Sequence, residues 1–130
     1  MNTTIHQEID IAMSPAQVYD ALLDESDFSD RTGGSPTKID RSPGGAFSCF
    51  GGRIVGRLLE LVPARRIVQA WRAKSWAEGV YSIVRFEFSV NNGGVRITLD
   101  HTGFPVGERE HLEKGWHENY WAPLKAALEQ

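Results

Sequence analysis

Residues 108–130 read EREHLEKGWHENYWAPLKAALEQ, and this run decides the architecture. Its large apolar residues are Leu112, Trp116, Tyr120, Leu124 and Leu128, each about one helical turn after the last. Trp121 and Ala127 widen that stripe, while Glu110, Glu113, Lys114, Glu118, Lys125 and Glu129 lie mostly off it. The periodicity predicts one long amphipathic helix. Pro123 lacks a backbone N–H and crowds the preceding turn, so a kink is expected there. Two bulky aromatics in the middle of the buried face need a large concave partner, such as a curved sheet.

The upstream chain supplies one. Ile5, Ile9 and Ile11 share a strand face, with His6, Glu8 and Asp10 opposite. Ser14-Pro15-Ala16-Gln17 reads as a helix start: Ser14 caps, Pro15 occupies the first turn, and Gln17 closes a capping box. Val18, Ala21 and Leu22 give that helix its buried face, and residues 24–30 predict a second short helix around Phe28. Breakers follow at Gly33-Gly34-Ser35-Pro36. Short strands are then expected over residues 38–41, 46–50, 53–62 and 67–72, separated by Gly- and Pro-rich turns. Residues 80–90 alternate most clearly, with Val84, Phe86, Phe88 and Val90 on one face. Asn91-Asn92-Gly93-Gly94 signals a hairpin into Val95, Ile97, Leu99 and His101. The order is one strand, two short helices, about six strands and a long helix. Strands joined by short hairpins are antiparallel, so the expectation is an α+β domain with an antiparallel sheet curved around the last helix.

A chain of 130 residues, 41% of them apolar, makes one domain with a single core, taken here as residues 1–130. The formal net charge of -3 provides no broad footprint for nucleic acid or an anionic membrane. Cys49 is the single cysteine, which excludes an internal disulfide framework and fits a reducing compartment. The N-terminal MNTTIHQEIDIAM alternates polar and apolar residues, so neither a secretory signal nor a membrane span is expected. The cytoplasm is the expected location.

Several short motifs carry a family resemblance. They are Gly44-Gly45-x-Phe47, Gly52-x-Ile54-x-Gly56, Leu61-Val62-Pro63, Ile67-Val68-x-x-Trp71-Arg72, Lys74-Ser75-Trp76-x-Glu78-Gly79 and Gly115-Trp116. Together they resemble the C-terminal domain of the activators of heat shock protein 90 ATPase. Those domains belong to the START-like, birch-pollen-allergen-like (SRPBCC) helix-grip superfamily. The resemblance runs from Ile5 to Leu128 and implies a seven-stranded antiparallel sheet wrapped on the C-terminal helix. The expectation is a binding protein rather than an enzyme, without cofactor. The eukaryotic activators carry a further N-terminal domain for which 130 residues have no room, so chaperone binding, not activation, is the expectation on that side.

START-like folds often hold a hydrophobic ligand between sheet and final helix. Here Trp71, Phe86, Phe88, Trp116 and Tyr120 would line that cavity, with Gln69, His101, Asn119 and the Tyr120 hydroxyl as polar anchors. The plainer alternative is that the rings simply fill the space, and both remain open at this point. A small hydrophobic ligand is the first expected partner, and a heat shock protein 90 type chaperone, met by the exposed loop around Trp76, is the alternative. A small cyclase or hydrolase, with His101 and Glu60 or Asp100 as acid and base, rests on superfamily breadth alone.

Other signals favour ordinary roles. His101 on an apolar face is more often a hydrogen-bonded core residue than a base. His111 and His117 lie on different sides of a helix, so no metal site is expected. Cys49 reads as a small buried hydrophobe. Gly44-Gly45 and Gly51-Gly52 fit hairpin turns and no phosphate-binding pattern. Glu60 has inward parity with Ile54, Gly56 and Leu58, and a β-bulge that turns it outward is favoured over a functional buried carboxylate.

Overall fold

The computed structural model describes residues 3–129; Met1, Asn2 and Gln130, which the terminal segments above include, lie outside the described residues. Strand β1 (Thr4–Ile11) buries Ile5, Ile9 and Ile11 and exposes His6, Glu8 and Asp10. Helix α1 (Pro15–Leu23) begins with the anticipated box: the Gln17 N–H donates to Ser14 Oγ at 3.2 Å, and the Ser14 N–H donates to Gln17 Oε1 at 3.1 Å. Helix α2 (Glu25–Arg31) follows at once, its Asp27 N–H donating to the Asp24 carboxylate at 2.9 Å. Both helices start where a side chain satisfies an otherwise orphaned backbone donor.

The remaining strands are β2 (Lys38–Ile39), β3 (Ala46–Cys49), β4 (Ile54–Val62), β5 (Arg66–Ala73), β6 (Ser82–Asn91) and β7 (Gly94–Thr102). Among the described residues the seven strands form one antiparallel sheet in the order β1-β7-β6-β5-β4-β3-β2. Consecutive strands from β2 to β7 are therefore neighbours, as short hairpins require. At the β6–β7 turn, Asn92 and Gly93 both have positive φ (50° and 80°), the primed-turn conformation that suits sheet twist.

Two local devices curve the sheet. In β4, Leu58 pairs with Gln69 and Glu60 with Val68, leaving Leu59 as the extra residue of a bulge. The bulge carries Glu60 outward, where it meets Arg66 at 2.8 Å, the outcome the sequence favoured. Further along, Phe47, Gly56 and Trp71 stand side by side on β3, β4 and β5. Gly56 leaves the room that the Phe47 ring occupies; a Cβ there would meet the Ala70 carbonyl and, at 2.8 Å, the Phe47 ring.

The last helix fills the concave face. It consists of α3 (Arg109–Gly115), a π turn (Trp116–Trp121) and α4 (Ala122–Leu128). Pro123 lies in the first turn of α4, so the expected kink takes the form of a wider turn just ahead of the proline. Leu112, Trp116, Tyr120, Trp121 and Leu124 are buried, as expected. Ala127 is exposed, contrary to expectation, and in this last turn Leu128 keeps partial contact with the core. Val90 is also a correction. It has inward parity but is 75% exposed, because cover over β6 ends at Phe88, against which Tyr19 of α1 packs edge-on. No helix among the described residues is long and apolar enough to cross a membrane.

Gly56→Ala is expected to lower stability by about 1–3 kcal/mol in urea unfolding, since β4 and the Phe47 ring must separate to admit one methyl. An unchanged midpoint would mean the row is looser than described.

Candidate functional site

The concave face is organised around Trp116. Its ring lies 4.2 Å from Tyr120 and 5.7 Å from Trp71, and meets Phe86 edge-on at 5.7 Å. Trp121 stacks beyond it and donates from Nε1 to Gln7 Oε1 at 2.8 Å. The Trp116 Nε1–H donates to His101 Nδ1 at 3.1 Å, and an indole can only donate. His101 therefore carries its own hydrogen on Nε2, which donates to Ser82 Oγ at 2.8 Å, and Ser82 passes its hydrogen to the Trp71 carbonyl at 2.7 Å. Both imidazole nitrogens are occupied inside the core. Burial pushes the His101 pKa down to about 3, so the ring is neutral.

Beneath the helix the interior is nearly full. The void bounded by Phe28, Phe47, Gln69, Phe86 and Tyr120 measures about 10 Å³. The usable space lies beside it, in a solvent-open groove of about 610 Å³ where α2, the β4–β5 end of the sheet and the last helix meet. Half-buried Phe50 and Ile54, with the edges of the buried Trp71, Trp116 and Tyr120, form its apolar lining, and Arg31, Arg53 and Lys74 stand around it. The Trp71 Nε1–H points to the Tyr120 hydroxyl at 3.4 Å, and burial raises the Tyr120 pKa well above that of an ordinary phenol.

The structure brings Trp71, Phe86, His101, Trp116 and Tyr120 into one ring cluster. Asn119 is exposed at the groove rim, and Gln69 faces the small void instead. Phe88 packs apart from the others against Tyr19. Trp76 departs from expectation: its loop is exposed, but the ring is buried beside Trp71 and its Nε1 donates to Glu108 at 3.2 Å. An indole so satisfied at both face and edge supports the loop from within.

His101 and the two carboxylates offered as its partners are on opposite faces. Glu60 projects outward with Arg66, and Asp100 lies on the outer face between His6 (2.7 Å) and Arg85 (3.3 Å). Among the described residues, no three His, Cys, Asp or Glu side chains gather as a metal site. Cys49 is buried and its thiol is pushed up to about 12, so it stays protonated.

Sequence reasoning missed Arg31, Phe50, Arg53 and Lys74 as groove residues. Arg31 had a legible signal: it follows Phe28 by three positions on a short helix, so both share a face. Phe50 reaches the groove from the short turn after β3, and Arg53 and Lys74 meet there just beyond the ends of β4 and β5, where the Lys74 N–H donates to the Arg53 carbonyl at 2.8 Å. Gln7, inward on β1 and holding the Trp121 indole, was also missed, although its parity matches Ile5 and Ile9.

Comparison with known proteins adds a family. The sequence profile described as "Activator of Hsp90 ATPase homolog 1-like protein" matches residues 12–129. The human "Activator of 90 kDa heat shock protein ATPase homolog 1" is 32% identical over 91 residues, 70% of this chain and 27% of that protein. A Dictyostelium discoideum homolog is 33% identical over 123 residues, 94% of this chain and 32% of that protein. The chain thus spans about a third or less of these curated relatives' length. Among solved structures, an HSP90 activator from Plasmodium falciparum superposes with a TM-score of 0.93 at 26% identity, over 98% of this chain and 97% of that one. A Chromobacterium violaceum protein superposes with a TM-score of 0.81 at 27% identity, over 100% and 99% of the two chains.

The histidine generates a pH prediction. An unfolded chain protonates this imidazole near the ordinary histidine value of 6.5, whereas the native core excludes the proton until about 3. Its contribution to stability is full above about pH 6.5 and declines as pH falls, with a slope approaching about 1.4 kcal/mol per pH unit. Nitrogen-15 spectra should show a neutral Nε2–H tautomer for His101 that does not titrate between about pH 5 and 8. A titration midpoint near 6.5 would contradict the buried chain of hydrogen bonds.

Proposed function

This chain belongs to the Activator of Hsp90 ATPase homolog 1-like family, and we propose that it is a non-catalytic binding domain whose groove takes a small, largely apolar ligand. The observation that carries this reading is the groove itself. Its volume of about 610 Å³ lies within the range of small-molecule sites, and its floor is aromatic. The interior beneath Tyr120 is too full for a guest, so the ligand rests against the outer side of the Trp116–Tyr120–Trp71 cluster. Among the residues expected to line a cavity, Trp71, Trp116, Asn119 and Tyr120 border this groove. Phe86, Phe88, Gln69 and His101 support the wall or the core behind it.

A second reading is favoured by one specific likeness. The Plasmodium falciparum protein titled an HSP90 activator matches nearly the full length of both chains. On this reading the chain binds a heat shock protein 90 type chaperone. Lys74 and Ser75 of the exposed loop are then the contacts and Trp76 its buried support. Titration with the source organism's own chaperone should give saturable binding; none at high micromolar concentration removes this reading.

Gly115 offers a direct test of the groove. It is helical and borders the groove, and a Cβ there makes only ordinary contact, 3.6 Å from Asn119. Gly115→Leu should put four carbons into the groove and favour the helix by about 1 kcal/mol. Native mass spectrometry of gently purified wild-type protein should show a bound small-molecule mass that disappears in Gly115→Leu, with the thermal midpoint held or raised. Equal ligand loading in both proteins would place the ligand elsewhere.

A further inference from the structure

Arg31 has an unusual position for a cation. Its Nη2 is buried and, among the described residues, has no hydrogen-bond partner. Its Nη1 donates to the Ala21 carbonyl at 2.9 Å, and the guanidinium carbon lies 4.6 Å from the centre of the Phe28 ring. No carboxylate among the described residues forms an ion pair with it; Asp24 and Asp27 act on it only from a distance. Burial alone disfavours its charge, and a guanidinium does not discharge in water. Such a group gains strongly from an anion that reaches its unpartnered Nη2 from the groove.

The surroundings have the same sign. Arg31, Arg53 and Lys74 border the groove against one carboxylate, Glu118, which already faces Lys114 at 3.7 Å. Neither Arg53 nor Lys74 forms an ion pair among the described residues, whereas Arg66, Arg85 and Arg96 on the outer sheet face pair cross-strand. The positive border therefore coincides with the aromatic floor of Trp71, Trp116 and Tyr120.

Resting on the groove reading above, we infer that the ligand is an amphipathic organic anion, its apolar body on the aromatic floor and its carboxylate on Arg31. A planar carboxylate suits the guanidinium fork better than a neutral polar head, and Arg53 and Lys74 attract it from outside. Arg31 is thereby a specificity residue, setting which amphiphile stays, whereas the aromatics set that an amphiphile binds at all. The two exposed cations are screened by salt; the half-buried Arg31 is screened less.

The test compares dodecanoate with dodecanol, which share a tail and differ in charge, by intrinsic tryptophan fluorescence at low and high salt. Dodecanoate should bind the wild-type protein about tenfold or more tightly than dodecanol, with most of that preference surviving high salt. Arg31→Met should remove the preference and leave dodecanol binding in place. Because Arg31 also holds the Ala21 carbonyl, Arg31→Lys serves as a folded second variant, keeping charge but losing the fork, and its preference should fall between the two. Equal affinity for both ligands in the wild type, or a preference unchanged in Arg31→Met, overturns the inference while the groove reading stands. Binding of neither ligand, in a protein whose Gly115→Leu variant is equally inert, overturns both. A matched dodecyl phosphate arm identifies the head group: tighter binding than dodecanoate replaces the carboxylate assignment with a phosphate one.

Discussion

An indole buried in the middle of a helix brings a hydrogen-bond donor that has to be met, and the Trp116–His101 bond meets it across the interface between helix and sheet. Much else follows from that one requirement. The imidazole must accept on Nδ1, so it must donate on Nε2; Ser82 and the Trp71 carbonyl then complete the chain. Four residues from the last helix and from β5, β6 and β7 are locked in one relative position, and the rings of Trp71, Phe86 and Tyr120 pack around the lock. A polar chain satisfied at every link specifies one docking of the helix, where an apolar seam alone would tolerate several. The same interaction takes His101 out of chemistry. Its lone pair and its hydrogen are both committed, and its proton affinity is suppressed by burial.

That lock also divides the concave side in two. Behind Trp116 the core is packed to near completion; in front of it, between α2 and the β4–β5 end, the edge of the cluster borders an open groove. The rings fill the core, and Trp71, Trp116 and Tyr120 reach the groove only at their edges, being 2%, 2% and 8% exposed. The basic residues gather only on the lining side, and Arg31 reaches it because α2 is tied to the core through Phe28.

What the sequence disclosed were local regularities. The Ser14–Gln17 box, the Asn92-Gly93 turn, the alternation in β6 and β7 and the outward bulge at Glu60 each depend on a few neighbouring residues. They read correctly. Parity failed at Val90, because facing inward buries a side chain only where another element lies above it. Composition misled at Trp76, where a polar, Gly-containing loop hides a ring anchored by Glu108, a partner distant in sequence. The groove was read in Trp71, Trp116, Asn119 and Tyr120 but not in its cations, since Arg53 and Lys74 meet just beyond the ends of β4 and β5, a long-range pairing that no short-range pattern records. The π turn had a signature that went unread. Apolar residues spaced strictly by four advance about 40° beyond a full turn at each step of an α-helix. Keeping Trp116, Tyr120 and Leu124 on one face calls for a wider turn, and the structure places one at Trp116–Trp121.

The near-absence of empty space beneath Tyr120 has a consequence under hydrostatic pressure. Proteins unfold under compression largely because unfolding eliminates internal voids, and the volume change scales with the void that disappears. Here the void under the helix is about 10 Å³, and the 610 Å³ groove is open to solvent before unfolding begins. A helix-grip domain with a large sealed cavity would collapse that cavity into water as it unfolds. The void beneath Tyr120 holds little such volume, so this part of the core adds less to unfolding under compression than the sealed cavity of a hollow member of the same fold would.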